Sequence, residues 1–110
     1  MPRFDDVVID VAKLERYCLS ETHPRGRHKA RVFRTRLGIA AADAMFLSEE
    51  LSKAAKNGTD TPQPTVRDRY GQRYLLDFDI VTSAGSARIR SLWIVRTGEN
   101  LLRFVTCYVL

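Results

Sequence analysis

Residues 23–36 are the most unusual part of this chain and hold the side chains best suited to chemistry. The segment reads HPRGRHKARVFRTR and contains six Lys or Arg residues, both histidines and no acidic residue. Guanidinium groups contact phosphate in a bidentate manner and stay charged at neutral pH. An imidazole transfers protons near neutral pH. These residue types predict a phosphate-binding surface that carries an acid–base group.

Helical spacing gathers much of this segment on one face of a predicted helix over residues 24–37. At about 100° per residue, one third of the circumference holds Arg25, His28, Lys29, Val32 and Arg36. The apolar residues Ala30, Phe33 and Leu37 form a separate stripe, and Gly38 ends the helix. We therefore expect a basic surface with His28 as its proton-transfer group. Phosphate would be held by Arg25, Arg27 and Lys29, together with free N–H groups at the helix start.

A basic helix face is most often only a solvated surface, and this interpretation stays open beside the functional one. The same holds for the polar and aromatic residues of the last two predicted strands. Alternating polar and aromatic residues are typical of a half-buried strand, so Trp93 on its own indicates core rather than site.

The remaining elements predict an α+β fold. About three helices fill residues 1–58: the first follows Asp10 as its N-cap, the second is the basic helix, and the third runs from about Ala41 to Lys56. The spacing of the third helix places Ala44, Leu47, Leu51 and Ala54 inward. Residues 59–72 are expected to be a loop with a possible short strand near Thr65–Arg69.

Residues 73–110 are expected to complete a three- to four-stranded antiparallel meander. Alternation in residues 73–82 places Tyr74, Leu76, Phe78 and Ile80 on one face of the sheet and Asp77 and Asp79 on the other.

A two-residue turn at Gly98-Glu99 predicts how the last two strands pair. Trp93 would face Phe104, Ser91 would face Thr106, and Ile89 would face Tyr108. One face of the sheet would then carry four candidate functional residues, namely Ser91, Trp93, Thr106 and Tyr108. The other face would carry Arg88, Arg90, Arg96 and Arg103, and Arg96 is a further candidate phosphate ligand.

Length and composition place the chain among ordinary globular proteins. Its 110 residues suit a single domain, with 45% hydrophobic and 28% charged residues and a net charge of +5. A basic balance favours nucleic acid or an acidic partner. Cys18 and Cys107 show neither CxxC nor His spacing, so no metal site, disulfide framework or cofactor is expected. No leader or membrane span is visible, and the cytoplasm is the expected location.

Three segments make the chain resemble a family of small uncharacterised bacterial domains. They are His23-Pro24-Arg25-Gly26-Arg27-His28-Lys29-Ala30, Tyr70-Gly71-Gln72-Arg73-Tyr74 and Trp93-Ile94-Val95-Arg96-Thr97-Gly98-Glu99. The family has an HPxGRHKA pattern and a closing strand similar to VTCYVL. Its members are often encoded beside a small protein that looks like an SH3-like barrel. The resemblance implies a toxin with a small neutralising antitoxin of SH3-like fold.

A looser resemblance links the chain to the barnase–EndoU–colicin–RelE group of metal-independent ribonucleases. Colicin D-like members carry Lys-x-x-His on a helix and Ser-x-Trp on a strand. Arg25-Gly26-Arg27-His28 and Ser91-Leu92-Trp93 match these motifs, except that Arg replaces Lys. The resemblance implies RNA as substrate, with tRNA among the candidates, and attack of a ribose 2′-OH on the neighbouring phosphorus. Its catalytic residues would be His28, Arg25, Lys29, Ser91, Trp93, Thr106 and Tyr108.

A rival interpretation needs no catalysis. The basic helix over residues 24–37 would then belong to a module that binds an acidic partner protein or nucleic acid. Composition does not separate the two interpretations.

Overall fold

The helices of this protein precede most of a five-stranded sheet in a computed structural model that describes residues 4–58 and 60–110. Strand β1 spans Asp6–Val8. Helix α1 (Val11–Lys13) continues as a π-helical segment, Leu14–Cys18. Helix α2 spans Arg27–Leu37, and a 3₁₀ turn (Ala41–Asp43) leads into helix α3, Ala44–Asn57. Strands β2 (Gln63–Asp68), β3 (Gly71–Thr82), β4 (Gly85–Arg96) and β5 (Leu101–Val109) follow.

Local signals set the helix ends close to the expected positions. Asp10 accepts a hydrogen bond from the N–H of Ala12 at 3.0 Å, which confirms it as an N-cap. Gly38 takes the left-handed conformation with φ of 69°, which confirms it as the end of α2. Helix α2 starts at Arg27 rather than at Pro24, because residues 24–26 form a turn first. Gly26 fits there because a Cβ would lie 2.6 Å from the carbonyl oxygen of Tyr17.

The sheet has the order β1-β5-β4-β3-β2, and its antiparallel meander confirms the expected topology of β2 to β5. The expectation of three to four antiparallel strands was wrong in one respect. Strand β1 lies within the half expected to be helical and pairs in parallel with β5, beside Leu101–Arg103. Three residues carry too little periodicity to predict such a strand, which forms only because β5 offers a free edge.

The expected loop over residues 59–72 holds more structure than foreseen. The short strand foreseen near Thr65–Arg69 is β2, which spans Gln63–Asp68. Strand β3 already begins at Gly71, two residues before the expected start. Thr59 and residues 1–3 lie outside the described part of the chain, so the expectations that cover them are not described further.

The pairing of β4 with β5 corrects the expected register. Trp93 faces Phe104 as predicted, but Ser91 faces Cys107 and Ile89 faces Val109. The register shifts between Leu92 and Trp93, because Leu92 faces Thr106 and Val105 becomes an extra residue of β5. A β-bulge of this kind offsets all later pairs by one position. Tyr108 therefore lies opposite Arg90 and not on the side of the sheet that carries Trp93.

The helices cover one face of the sheet and form the core with it. The predicted inward positions of α2 and α3 are confirmed as buried: Ala30, Phe33, Leu37, Ala44, Leu47, Leu51 and Ala54. Their sheet partners are Leu76, Ile80, Ile89, Trp93, Leu102, Phe104 and Cys107. The other face carries ion pairs. No helix in the described residues has the length and apolar character needed to span a membrane.

Ser91 is a polar residue in the centre of this core, with no exposed surface. Its hydroxyl donates to the carbonyl of Leu76 at 2.6 Å and accepts from the indole N–H of Trp93 at 2.8 Å. The buried indole is thereby satisfied, and it packs edge-on against Phe104 with ring centroids 5.5 Å apart. This link holds β3, β4 and the largest core side chain together.

Replacing Ser91 with alanine tests this link. Ser91→Ala leaves the indole N–H buried without an acceptor, so we expect the free energy of unfolding to fall by about 1–3 kcal/mol. Chemical denaturation measures the change. Ser86→Ala, at an exposed position of the same strand, should stay within about 0.5 kcal/mol of wild type. Equal effects of the two substitutions would contradict the assigned role.

Candidate phosphate-binding site

The site is built on α2, and His23 fixes where that helix starts. The Nδ1 atom of His23 accepts hydrogen bonds from the backbone N–H groups of Arg25 at 3.0 Å and Gly26 at 3.1 Å. Its ring meets Tyr17 edge-on, with centroids 4.7 Å apart. These bonds hold the turn over residues 24–26, which leads into α2 at its N-cap, Gly26. His23 thus stabilises the turn before the helix, a role that the sequence patterns did not predict.

Burial of the apolar stripe turns the basic residues of α2 to solvent. Ala30, Phe33 and Leu37 are buried, while the cations on or beside the helix are exposed: Arg25, Arg27, Lys29, Arg31, Arg34 and Arg36. Arg34 pairs with Glu21 at 3.0 Å. Within the described part of the chain, Arg25, Arg27, Arg31 and Arg36 form no ion pair. An anion can therefore approach this surface without displacing a carboxylate.

The charges at the start of α2 oppose its own dipole. The first turn has no acidic residue, although carboxylates at this end of a helix are stabilising and cations are not. Arg25, Arg27 and Lys29 thus add their charge to the positive end of the dipole. A bound phosphate group would neutralise both contributions at once, which makes this end of α2 favourable for anions.

Lys29 connects α2 to the end of the sheet. Its Nζ atom lies 4.4 Å from the centroid of the Tyr108 ring, a cation–π contact. Tyr108 is half-buried and faces Arg90 across β5 and β4. Two of the predicted site residues, Lys29 and Tyr108, are therefore brought together, and Arg90 joins them.

Asp77 holds Arg90 in place. Nε and Nη2 of Arg90 donate to the two carboxylate oxygens of Asp77 at 3.0 and 2.9 Å. These hydrogen bonds lower the pKa of Asp77 below its usual range. Asp77 raises the pKa of Arg90 in turn, and the hydroxyl of Tyr108 adds to this. The result is a fixed sequence of contacts from Asp77 through Arg90 and Tyr108 to Lys29.

The other predicted site residues lie elsewhere. Ser91 and Trp93 are in the core, at 0% and 1% exposure, which leaves neither side chain open to a substrate. Thr106 is half-buried, with its Oγ1 atom 3.7 Å from the sulfur of Cys18. Arg96 ends β4 opposite Gly71, where it assists Arg103 in lowering the pKa of Glu99. His28 is exposed and forms no hydrogen bond or ion pair with the residues that the structure describes.

Metal clusters and cavities are two other kinds of functional site. The described residues contain no group of three or more His, Cys, Asp or Glu side chains that could hold a metal ion. A cavity of about 280 Å³ opens between the end of α3 and the sheet. Its lining includes none of the predicted site residues and consists of Glu50, Lys53, Ala54, Asn57, Gly58, Asp60, Leu76, Phe78, Asp79 and Arg88.

Four arginines of the sheet, Arg73, Arg88, Arg90 and Arg103, differ from most of those of α2 because carboxylates neutralise them. Arg67 and Arg96 also lie in strands and form no ion pair with the described residues. Besides the Arg90–Asp77 pair, Arg88 contacts Asp79 and Asp60, each at 3.2 Å. Arg103 pairs with Glu99 at 2.9 Å. The alternation of Asp77 and Asp79 with apolar residues predicted their side of β3, but not these partners. The unneutralised cations of the candidate site are those of α2.

The geometry defines a small α+β domain with an open basic helix beside a tyrosine and an arginine of the sheet. The chain belongs to the family described as Domain of unknown function (DUF6883), which matches residues 1–110. This confirms the expected membership of an uncharacterised domain family. No curated protein matches the sequence.

A solved structure shares the fold. It is described as "Contact-dependent growth inhibition toxin - immunity protein complex from Klebsiella pneumoniae 342". The similarity has a TM-score of 0.70 at 21% sequence identity, and it covers 94% of this chain and 99% of that one. At this identity the likeness concerns the arrangement of helices and strands, and it confirms the α+β architecture.

The two histidines can be separated by substitution. His23→Ala removes the acceptor of two backbone N–H groups, so we expect a loss of about 0.5–1.5 kcal/mol in the free energy of unfolding, as for other lost hydrogen bonds. His28→Ala removes an exposed side chain and should change this free energy by less than about 0.5 kcal/mol. Urea denaturation of both variants measures the difference. A larger loss in His28→Ala would contradict these assignments.

Proposed function

We propose that this chain is a toxin domain that cleaves RNA without a metal ion. The observation that carries the proposal is the set of unneutralised cations around His28, with Lys29 in contact with Tyr108. RNA cleavage through the 2′-OH needs a cationic surface for phosphate, a proton acceptor, and hydrogen-bond donors for the developing charge. All three kinds of group occur on or beside α2.

Each residue has a proposed role in the reaction. Arg25, Arg27 and Lys29 hold the phosphates on either side of the cleaved bond. His28 takes the proton of the ribose 2′-OH, whose oxygen attacks the neighbouring phosphorus and forms a 2′,3′-cyclic phosphate. The bond to the 5′-oxygen breaks, and this oxygen takes up a proton from water. Tyr108 donates a hydrogen bond to a phosphoryl oxygen, and Arg90 keeps the tyrosine in position.

Ser91, Trp93 and Thr106 enter this proposal only as support. Ser91 and Trp93 hold the strands on which Arg90 and Tyr108 lie. Trp93 is buried, so a base would have to stack on an exposed ring elsewhere. Arg96 would contact RNA only if the bound RNA extended along the sheet beyond the site.

A neutralising protein partner belongs to the same proposal. The family resemblance implies a small antitoxin with an SH3-like fold, and the solved neighbour is described as a toxin–immunity complex. A partner that covers α2 would need acidic side chains, because the cations there form few ion pairs within the chain.

The non-catalytic alternative is favoured by the isolation of His28. General bases are commonly oriented by a second side chain, and among the described residues His28 has no such partner. The basic face of α2 would then bind RNA or an acidic protein without cleaving anything.

RNA cleavage in EDTA separates these functions. We expect the purified chain to cleave a mixed RNA and to leave 2′,3′-cyclic phosphate ends, which mass spectrometry of the products identifies. His28→Ala should lower the rate by about 10²–10⁴-fold while RNA binding persists. Thr35→Ala, at an exposed position of the same helix, is the matched control and should cleave at the wild-type rate.

Two results would overturn the catalytic role. Wild-type cleavage by folded His28→Ala would exclude His28 as the proton-transfer group. Binding without cleavage by the wild-type chain would favour the non-catalytic module.

Salt dependence of RNA binding tests where the phosphates lie. Each neutralised phosphate releases counterions, so affinity falls with salt in proportion to the number of contacts. We expect Arg25→Ala and Lys29→Ala each to reduce the slope of log K against log salt by about 1. Arg88→Ala is the control, because Asp79 and Asp60 already neutralise this arginine. A lower slope in Arg88→Ala alone would place the RNA on the sheet.

A further inference from the structure

The two cysteines of the chain lie together although 88 residues separate them in sequence. Cys18 ends the π-helical segment, and Cys107 lies in β5 opposite Ser91. Both thiols are free and buried, with 3% and 1% exposure. The thiol and the backbone N–H of Cys107 both hydrogen-bond to the sulfur of Cys18, and the hydroxyl of Thr106 lies 3.7 Å from it.

The surroundings make the two sulfurs unequal. Hydrogen bonds from Cys107 lower the pKa of the Cys18 thiol, against the effect of burial, and Thr106 and Lys13 assist. The pKa of Cys107 is raised, first by its hydrogen bond to Cys18 and then by burial. Cys18 is therefore the more acidic thiol of the pair, and Cys107 is the neighbour that keeps its proton more firmly.

We propose that Cys18 and Cys107 form a redox modification site, at which a peroxide joins them in an intramolecular disulfide. An acidic thiolate in contact with a second thiol is the arrangement that oxidation converts to a disulfide rather than to higher acids. The product would tie the π-helical segment to β5. This inference is independent of RNA cleavage and does not use the basic surface of α2.

The reaction with hydrogen peroxide balances in two steps. The Cys18 thiolate attacks one oxygen, the O–O bond breaks, and Cys18 becomes a sulfenic acid while hydroxide leaves. The sulfur of Cys107 then attacks the Cys18 sulfur, the S–O bond breaks, and water leaves as the Cys107 proton is lost. Two thiols are oxidised by two electrons, and one peroxide becomes two waters. Hydrogen peroxide is small and uncharged, so it suits buried thiols better than a bulky disulfide oxidant does.

The inference is tested on the full chain, reduced and then treated with a small excess of hydrogen peroxide. We expect intact mass to fall by about 2 Da, the two hydrogens lost. The thiols that react under denaturing conditions should fall from two per chain to none. Peptide mapping without reductant should join the segments that contain Cys18 and Cys107, and dithiothreitol should reverse every change.

Single substitutions supply the controls. Cys107→Ser removes the partner sulfur but keeps a side-chain donor beside Cys18, so the mass should rise by added oxygen instead of falling. Cys18→Ala should leave Cys107 reduced for longer than Cys18 stays reduced in Cys107→Ser. The proposal is overturned if the wild-type chain gains oxygen, forms covalent dimers, or keeps both thiols at a peroxide level that oxidises Cys107→Ser. The wild-type result decides even if a variant fails to fold.

Discussion

The apolar stripe of α2 is the constraint on which the candidate site depends. Phe33 has no exposed surface, and Ala30 and Leu37 are almost fully buried against the sheet and the neighbouring helices. Burial of a Phe or Leu side chain contributes up to about 1.5–3 kcal/mol. The helix therefore has one favourable rotation about its axis, the one that buries this stripe. This rotation leaves the cationic side chains of α2 exposed to solvent. The concentration of charge therefore follows from packing.

The distribution of carboxylates then distinguishes two kinds of basic residue. Strand arginines such as Arg88 and Arg90 lie opposite aspartates on β3, and the ion pairs stabilise the sheet locally while cancelling its field. Helix α2 has cations at its positive end and, among the described residues, one ion pair, Arg34 with Glu21. Folding stability alone does not favour cations at this end of a helix. Binding of an anion would account for their position, and this is the physical basis of the proposed function.

Much of the fold follows from patterns in the sequence. Period-3.6 stripes predicted the buried faces of α2 and α3, and alternation in residues 73–82 predicted which side of β3 carries Asp77 and Asp79. Strand β1 escaped prediction because three residues show no period and its partner lies about 95 residues away in sequence. The bulge at Val105 was not predicted because no residue type in the sequence indicates it. The resulting change of register places Tyr108 on the face of the sheet that carries Arg90.

The candidate site was therefore predictable in its helical half only. Residue types on α2 indicated Arg25, His28 and Lys29, since a helix face can be calculated from spacing. The part of the site on the strands depends on the pairing register, and a single extra residue moves the side chains that follow it to the other face of the sheet. Ser91 and Trp93 consequently lie in the core, and Arg90, paired with Asp77, is the residue that lies opposite Tyr108. His23 was missed because its contacts are to backbone N–H groups, which leave no pattern in the sequence.

Nuclear magnetic resonance can test directly whether α2 and the adjoining end of the sheet form the proposed RNA surface. The full chain would be titrated with a short RNA whose 2′-hydroxyls are methylated, so that binding occurs without cleavage. We expect amide shift changes in residues 23–36 and around Tyr108, with the hairpin of β3 and β4 at Arg88 unaffected. Changes confined to β2, β3 and Arg88, with α2 unperturbed, would contradict the proposed RNA surface.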